Sequence, residues 1–230
     1  MKRWEKLMQW YRMLIGIFMS NTHQLQPEVK KKLNQIVEEL FESAKKKPKG
    51  KTFIMIVGFS QSGKRWLINR HPVLNRLFCV HTDPIHDLLN NRFKFLRDDN
   101  TVEGKAYWER QFLTNIIKEK LLAKAFPEGL AVLNDSCNLK KEERKERLAL
   151  AKRFSYKTII IWMVCSEATL LSRLKKADIK NVNEGEKPAW VELYQKVQKV
   201  RFNPPNKNEA DEILIFDSEK NSPEKVIIKI

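Results

Sequence analysis

Cysteine and long apolar runs are both scarce in this sequence. The 230-residue chain has three cysteines, Cys79, Cys137 and Cys165, and their separations match neither a disulfide framework nor a zinc-ligand pattern. This usage fits a reducing compartment, so we expect a cytoplasmic protein. The N-terminal apolar stretch Leu7–Met19 contains Arg12 and is too short to span a bilayer, and no clear cleavage site follows it. We therefore predict no transmembrane segment and no signal peptide.

Histidine is also sparse. His23, His71 and His81 form no recognisable triad or metal-ligand spacing, so the sequence assigns them no role.

Positive charge is abundant. Hydrophobic residues make up 42% of the chain, enough for a packed core. The 44 lysines and arginines exceed the 28 acidic residues and give a net charge of +16. Such an excess favours polyanionic partners such as nucleic acid, an anionic membrane or an acidic protein. A solvated, lysine-rich surface without any such partner explains the same charge.

The first 50 residues are predicted to be a helical N-terminal extension that ends in a basic linker. Apolar residues recur at helical spacing over residues 1–20 and again over residues 27–46, and Lys45–Lys51 contains Pro48 and Gly50. This extension either packs on the main domain or docks on a protein or membrane-surface partner, for which residues 1–20 are the candidate segment. Residues 51–230 are then the main domain.

Short apolar runs alternate with helical patterns from residue 52 onward. The predicted strands are Thr52–Val57, Phe78–Thr82, Leu130–Asn134, Thr158–Val164 and Glu212–Phe216, with Lys225–Ile230 as a further candidate. The predicted helices are Lys64–Asn69, Tyr107–Ala125, Lys140–Phe154, Glu167–Lys176 and Pro188–Val200. This alternation is typical of an α/β fold with a parallel sheet flanked by helices.

A phosphate-binding loop follows the first predicted strand. Residues 58–64 have the spacing GxxxxGK, between a buried strand and a helix start, which is the context that the motif requires. Inward-facing backbone N–H groups and the helix N-terminus attract phosphate oxygens, and the lysine reaches the terminal phosphates. The sequence therefore predicts a P-loop NTPase-type sheet that binds ATP. The predicted nucleotide contacts are Gly58, Ser60, Gln61, Ser62, Gly63, Lys64 and Arg65.

Arg65 departs from the motif. A Ser or Thr hydroxyl normally stands after the lysine and ligates Mg²⁺, and a guanidinium cannot replace it. Three interpretations remain open. The protein is a degenerate nucleotide binder, or other oxygens hold Mg²⁺ through water, or Arg65 points away and leaves phosphate binding to the loop.

Further motifs occur in a characteristic order along the chain. His81-Thr82-Asp83 ends the second predicted strand, residues 134–138 end the third, and Arg173 follows the fourth on a helix. Residues 202–213 then carry Phe-Asn-Pro-Pro and Asp-Glu-Ile. Over roughly residues 52–216 this order resembles the polynucleotide-kinase-like P-loop kinases, which include phage-type 5′-hydroxyl polynucleotide kinases and, more distantly, zeta toxins.

The resemblance implies catalytic roles for Asp83, Lys64 and Arg173. Asp83 corresponds to the general base that takes a proton from the acceptor hydroxyl, and Arg173 corresponds to a lid arginine that neutralises the transferring phosphoryl group. A turn-capping role for Asp83 and a surface role for Arg173 are the alternatives.

The resemblance also implies metal and substrate contacts. Asp135 corresponds to a residue that holds Mg²⁺ through water, and Asn138 to a residue of the substrate site. His86 stands where an acceptor-binding arginine is expected, and Arg144 is a further substrate candidate. Loop capping by Asp135 and Asn138, and a solvated helix face around Arg144, are the alternatives.

Three functions follow as hypotheses. The first is phosphoryl transfer from ATP to a hydroxyl acceptor, with a nucleic-acid 5′ end as one candidate. The second is a catalytically weakened nucleotide-binding protein that acts through a protein or nucleic-acid partner. The third is a small-molecule kinase or a zeta-like toxin.

Overall fold

A computed structural model of the protein describes residues 25–96, 104–183 and 189–223. The predicted helix over residues 1–20 and the candidate strand Lys225–Ile230 lie outside the described residues.

The centre of the fold is a five-stranded parallel sheet with the order β2-β3-β1-β4-β5. The strands are β1 (Thr52–Val57), β2 (Phe78–His81), β3 (Val132–Asp135), β4 (Lys157–Val164) and β5 (Glu212–Asp217). All six residues of β1 are buried, because helices cover both faces of a parallel sheet. The α/β fold class predicted from the sequence is confirmed.

Seven of the described helices matter for the site. They are α1 (Pro27–Glu42), α2 (Lys64–Arg70), α3 (Thr82–Arg92), α4 (Lys105–Ala125), α5 (Lys141–Arg153), α6 (Glu167–Asn183) and α7 (Trp190–Leu193). A π-helical turn, Tyr194–Gln198, and the short helix α8, Lys199–Arg201, continue from α7. Short 3₁₀ turns lie at Ser43–Lys46, Leu74–Arg76 and Lys94–Leu96. None of the helices in the described ranges has the length and apolar content needed to cross a membrane.

Helix α3 is absent from the sequence prediction. That prediction extended the second strand to Thr82, whereas β2 ends at His81 and Thr82 begins α3. Pro84 lies in the first helical turn, where its missing N–H costs no hydrogen bond, and Ile85 and Leu89 bury the face of α3 that meets the core. Asp83 and Pro84 carry a signal for this helix start, which the sequence offered only as an alternative to a catalytic role for Asp83.

The core includes α1. Leu33, Ile36 and Val37 of α1 are 0–3% exposed and belong to the same hydrophobic cluster as Phe53 and Phe78 of the sheet. Residues 27–50 were predicted to belong to the N-terminal extension, with packing on the main domain as one of its two alternatives, and α1 packs there. Because α1 completes the core, we propose that the folding unit begins near residue 27 and not at residue 51.

Candidate functional site

The P-loop geometry depends on its two glycines. A Cβ on Gly58 would lie 2.8 Å from both Met163 Cβ and Ser62 Oγ, so only glycine fits between the loop and β4. Gly63 has a φ of +98°, and Gln61 also has a positive φ of 60°, so the loop curls tightly before α2 begins at Lys64. The strand–loop–helix arrangement predicted from the motif is therefore present.

Lys64 folds back over the loop. Its Nζ donates to Phe59 O at 2.6 Å and to Gly58 O at 3.2 Å. Both partners are neutral carbonyls, so a phosphate would offer the ammonium a stronger, charge-assisted acceptor. The Lys64 ammonium is thus held by the loop carbonyls, at the position from which it could bind a phosphate.

Gln198 caps the middle of the P-loop. Its Oε1 accepts from Ser60 N at 3.0 Å, and its Nε2 donates to Ser60 Oγ at 2.7 Å. Gln198 is the last residue of the π-helical turn and is only 6% exposed. The segment after α6 is therefore hydrogen-bonded directly to the loop, a link that the sequence analysis missed because no motif marks Gln198.

Arg65 points away from the loop. Its guanidinium forms an ion pair with the Asp83 carboxylate, and its Nη2 lies 3.1 Å from His81 Nε2. The side chains of Arg65 and Asp83 are each 61% exposed. This arrangement matches the third interpretation of Arg65, in which the guanidinium leaves phosphate binding to the loop.

His81 connects the loops that follow β2 and β3. The two strands end in register, with His81 opposite Asp135. Asp83 N donates to His81 Nδ1 at 3.1 Å, which leaves the imidazole proton on Nε2. That nitrogen lies 2.9 Å from Asp135 Oδ2, so it donates to the carboxylate. His81 therefore links the loops that carry Asp83 and Asp135, although the sequence assigned it no role.

The Asp135 carboxyl is almost fully buried and ionised. Burial acts to raise its pKa, but the hydrogen bond from His81 and the positive charges of Lys64 and Arg65 outweigh burial, so the pKa lies below its usual value. A carboxylate held in this state beside the P-loop has the chemistry to hold Mg²⁺ through water. Within the described ranges, no group of three or more His, Cys, Asp and Glu side chains forms a metal cage.

Arg173 lies at the same edge of the sheet. Its Nη1 donates to Ser218 Oγ at 3.0 Å, in the turn after β5. Ser218 Cβ lies 3.2 Å from the position that a Cβ on Gly63 would occupy. Helix α6 therefore brings Arg173 to the side of the P-loop that carries Gly63, and its role as a lid arginine stays a prediction.

Asn138 and Arg144 are buried in the scaffold. Arg144 has no exposed side-chain surface; it donates to both carboxylate oxygens of Glu209 at 2.7 and 2.9 Å and to the carbonyls of Asn138 and Leu139. Asn138 Nδ2 donates to Ile56 O at 2.7 Å, so it ties the loop after β3 to β1. We propose structural roles for both residues in place of the substrate contacts expected from the sequence.

A group of buried cations lies beyond the acidic loops. Lys118 Nζ donates to Thr82 Oγ1 at 2.7 Å and to Ser136 Oγ at 2.5 Å. Burial, with a smaller contribution from the charge of Arg147, lowers the pKa of Lys118 to about 7. Lys118 stands on the buried face of α4, one turn after the buried Thr114. That position inside an apolar stripe is a signal that could have identified it.

His86 lies close to these cations. Burial and then the charges of Arg110 and Lys118 lower the pKa of His86 to about 3, so its imidazole is neutral. His86 Nε2 is buried and has no hydrogen-bond partner among the described residues. His86 therefore lies near the cations of α4, and its role in substrate binding stays a prediction.

Comparison with known proteins agrees with this architecture. The family model described as an AAA domain, AAA_33, matches residues 53–192, which is more than half of the chain. No curated protein matches the sequence.

Solved structures share the fold at low sequence identity. A candidate kinase from Chloroflexus aurantiacus has a TM-score of 0.55 and 17% identity, over 76% of this chain and 91% of that protein. A structure from the PezAT chromosomal toxin–antitoxin system of Streptococcus pneumoniae has a TM-score of 0.62 and 14% identity. The match covers 83% of this chain and 79% of that chain. The AvrRxo1-ORF1:AvrRxo1-ORF2 complex with sulphate ions has a TM-score of 0.51 and 17% identity, over 68% of this chain and 52% of that chain. The phage-type polynucleotide kinases named by the sequence resemblance are not among these proteins. The extent of the family match and the P-loop geometry lead to one conclusion: the chain belongs to the AAA_33 family of AAA domains.

Proposed function

We propose that the protein binds ATP on its P-loop and transfers the terminal phosphoryl group to the hydroxyl of an acceptor. The observation that carries this proposal is the meeting of Lys64, Asp83, Asp135 and Arg173 at one edge of the sheet. In open α/β sheets, ligands bind at the carboxyl ends of the strands, and all four residues lie there.

Each residue has a chemical role in the proposed reaction. The P-loop amides and Lys64 hold the β- and γ-phosphates. Asp83 accepts the proton of the acceptor hydroxyl as the acceptor oxygen bonds to the γ-phosphorus. The bond between that phosphorus and the bridging oxygen breaks, and ADP leaves with the bonding electrons. Arg173 neutralises charge on the transferring group.

Mg²⁺ would supply further charge neutralisation between the phosphates, with Asp135 as its protein contact through water. Arg65 offers no hydroxyl at the usual position of a ligand. We therefore expect weaker dependence on Mg²⁺ than in a P-loop enzyme with Ser or Thr there.

A second candidate is a nucleotide-binding protein with little or no turnover. The ion pair between Arg65 and Asp83 favours it, because the paired carboxylate has to leave the guanidinium before it accepts a proton. The resemblance to a protein of a toxin–antitoxin system supports a protein partner. Residues 1–20 are the candidate segment for binding that partner. Binding of the same segment to a membrane surface is a further proposal. A zeta-like toxin or small-molecule kinase activity is proposed on the same likeness, and a cytoplasmic location stays a prediction.

The deciding experiment follows labelled phosphate from ATP. The full chain is incubated with γ-labelled ATP and Mg²⁺, and the acceptors offered are 5′-hydroxyl DNA, 5′-hydroxyl RNA and pools of hydroxyl metabolites. Label transfer that disappears in Lys64→Ala supports the enzyme. Tight ATP binding without transfer or hydrolysis supports the second candidate. The net charge of +16 makes nucleic acid a natural acceptor to test.

A further inference from the structure

We propose that Gln198 is a positioning residue for ATP binding, because it holds one peptide unit of the P-loop so that the carbonyl of that unit orients the Lys64 ammonium. The consequence for ATP rests on the proposed function, whereas the effect of Gln198 on Lys64 rests on the hydrogen bonds of the loop alone.

The peptide unit between Phe59 and Ser60 is held from both sides. Its N–H, on Ser60, donates to Gln198 Oε1 at 3.0 Å, and its carbonyl, on Phe59, accepts from Lys64 Nζ at 2.6 Å. In a trans peptide unit the N–H and the C=O lie in one rigid plane and point in opposite directions. The bond to Gln198 therefore fixes the direction in which the Phe59 carbonyl faces Lys64.

Gln198 binds Ser60 with both ends of its carboxamide. While Oε1 accepts from Ser60 N, Nε2 donates to Ser60 Oγ at 2.7 Å, so the amide plane cannot turn without losing a bond. Cys137 Sγ lies 3.9 Å from Gln198 Nε2 and 3.8 Å from Lys64 Nζ. The carboxamide and the ammonium therefore pack against the same sulfur atom, in a close-packed group that transmits a shift of one member to the others.

The Phe59 ring is attached to the same segment as Ser60. It packs edge-on against the ring of Tyr194, with 5.2 Å between the centroids, and its centroid lies 4.8 Å from that of Phe202. Tyr194 begins the π-helical turn that ends at Gln198. Both residues of the peptide unit are thus fixed by one short stretch of chain. Helical turns of the π type are rare and are often found at functional sites, which fits a role for this stretch beyond packing.

Lys64 depends on fixed acceptors to keep one position. Its ammonium has three donors on a flexible stem, and its second acceptor, Gly58 O, is at the longer distance of 3.2 Å. In a protein without the Gln198 carboxamide, the Ser60 N–H would lose its acceptor and the peptide unit would be free to turn. The ammonium would then occupy more positions, and ordering it again on a phosphate would cost affinity.

The direct test follows the reactivity of Lys64 without any nucleotide. The full chain is treated with an amine-acylating reagent, and acylation at Lys64 is followed by mass spectrometry. Carbonyl acceptors stabilise the protonated, unreactive amine. Gln198→Met, which has a similar length and no hydrogen-bonding group, should therefore raise the acylation rate at Lys64 at least about three-fold, as for the loss of one hydrogen bond.

Tyr194→Phe is the matched control for this experiment. It lies in the same π-helical turn and keeps its ring on Phe59, and it loses only the hydroxyl that bonds Glu167. Lys64 should be acylated at the parent rate in this variant.

The second test measures ATP affinity by calorimetry in the parent, Gln198→Met, Lys64→Ala and the double variant. Gln198→Met should weaken binding about three- to ten-fold in the parent. In the Lys64→Ala background it should weaken binding by less than about two-fold, because no ammonium is left to orient. A merely structural defect would weaken both backgrounds equally.

The outcomes decide the proposal. Equal acylation of Lys64 in Gln198→Met and the parent overturns it, and so does an equal loss of ATP affinity in both backgrounds. Should Gln198→Met fail to fold, Gln198→Asn carries the same decision, because its carboxamide stands on a shorter side chain that cannot reach Ser60. Absence of ATP binding in the parent would contradict the proposed function and not the positioning of Lys64. In that case, or where Lys64→Ala binds ATP too weakly to measure, the acylation rates decide.

Discussion

The guanidinium of Arg65 pairs with the carboxylate of Asp83 at the edge of the sheet. Arg65 stands where P-loop enzymes place the hydroxyl that ligates Mg²⁺, and Asp83 is the proposed base. One substitution in the phosphate motif therefore affects two parts of the proposed chemistry: it removes a metal ligand and it occupies the group that has to accept a proton.

Replacing Arg65 should relieve both effects. In Arg65→Ser the new hydroxyl can ligate Mg²⁺, and Asp83 loses its partner. We expect ATP binding to become more dependent on Mg²⁺ and any transfer to become faster. The measurement is ATP affinity with Mg²⁺ and with chelator, together with the transfer rate. Arg70→Ser is the control, because Arg70 lies on the same helix but packs against Trp66. A parent protein that binds ATP only with Mg²⁺ and turns over at ordinary kinase rates would contradict the account.

Asp83 should matter for chemistry and not for folding. Asp83→Asn keeps the shape of the side chain but removes its basicity, so turnover should fall by about 10²–10⁴-fold, the usual contribution of a general base. The melting temperature should change little, because the side chain is 61% exposed. Asp87→Asn, one helical turn further on, is the control. Full activity in Asp83→Asn would show that Asp83 is not the base and would leave it only the ion pair with Arg65.

Helix α1 should be required for stability. Ile36 is 0% exposed in the main core, so Ile36→Ala should lower the free energy of unfolding by about 2–5 kcal/mol. Deleting residues 1–26 should leave ATP binding intact, whereas deleting residues 1–46 should unfold or strongly destabilise the protein. Chemical denaturation measures the stability of Ile36→Ala and of both deletion variants, and ATP affinity is measured for the two deletion variants. Lys31→Ala, at an exposed position of the same helix, is the control. A stable, ATP-binding 47–230 fragment would show that α1 is an accessory, as the sequence analysis expected.

Lys118 should make stability depend on pH. Its pKa is near 10.5 in the unfolded chain and about 7 in the folded protein. Between these values the unfolded state binds the extra proton, so the free energy of unfolding rises as the pH increases. In Lys118→Met this dependence should be much weaker. At pH 7 the variant should be more stable than the parent by roughly 1–4 kcal/mol, as when buried charges are replaced by apolar groups. Denaturant midpoints of both proteins at pH 7 and pH 9.5 test this. An equal change in midpoint between the two pH values in the parent and in Lys118→Met would contradict it.

The sequence predicted the sheet, the P-loop and its position between β1 and α2. These features depend on local signals, namely apolar runs and glycine spacing, that a single sequence displays. Asp83, Asp135 and Arg173 were identified by resemblance, and the fold brings them to one edge of the sheet.

Other features depend on contacts between distant segments. Gln198 and Ser60 are hydrogen-bonded although they are 138 residues apart in the sequence. Lys118, Thr82 and Ser136, which are also hydrogen-bonded, lie on three separate elements. No local pattern predicts such pairs. The burial of Arg144 was missed for a related reason: a charged helix suggests a solvated face, whereas in the fold Arg144 is enclosed by Glu209 and two backbone carbonyls.

The most direct test of the central claim is the ATP affinity of Lys64→Ala beside that of the parent. Loss of a charge-assisted phosphate contact is worth roughly 1.5–3 kcal/mol, so the dissociation constant should rise by about 10- to 100-fold. Lys51 directly precedes β1 and lies outside the loop, so the control variant Lys51→Ala should bind ATP as the parent does. Calorimetry that finds equal affinity in Lys64→Ala and the parent would contradict the assignment of the P-loop as the nucleotide site.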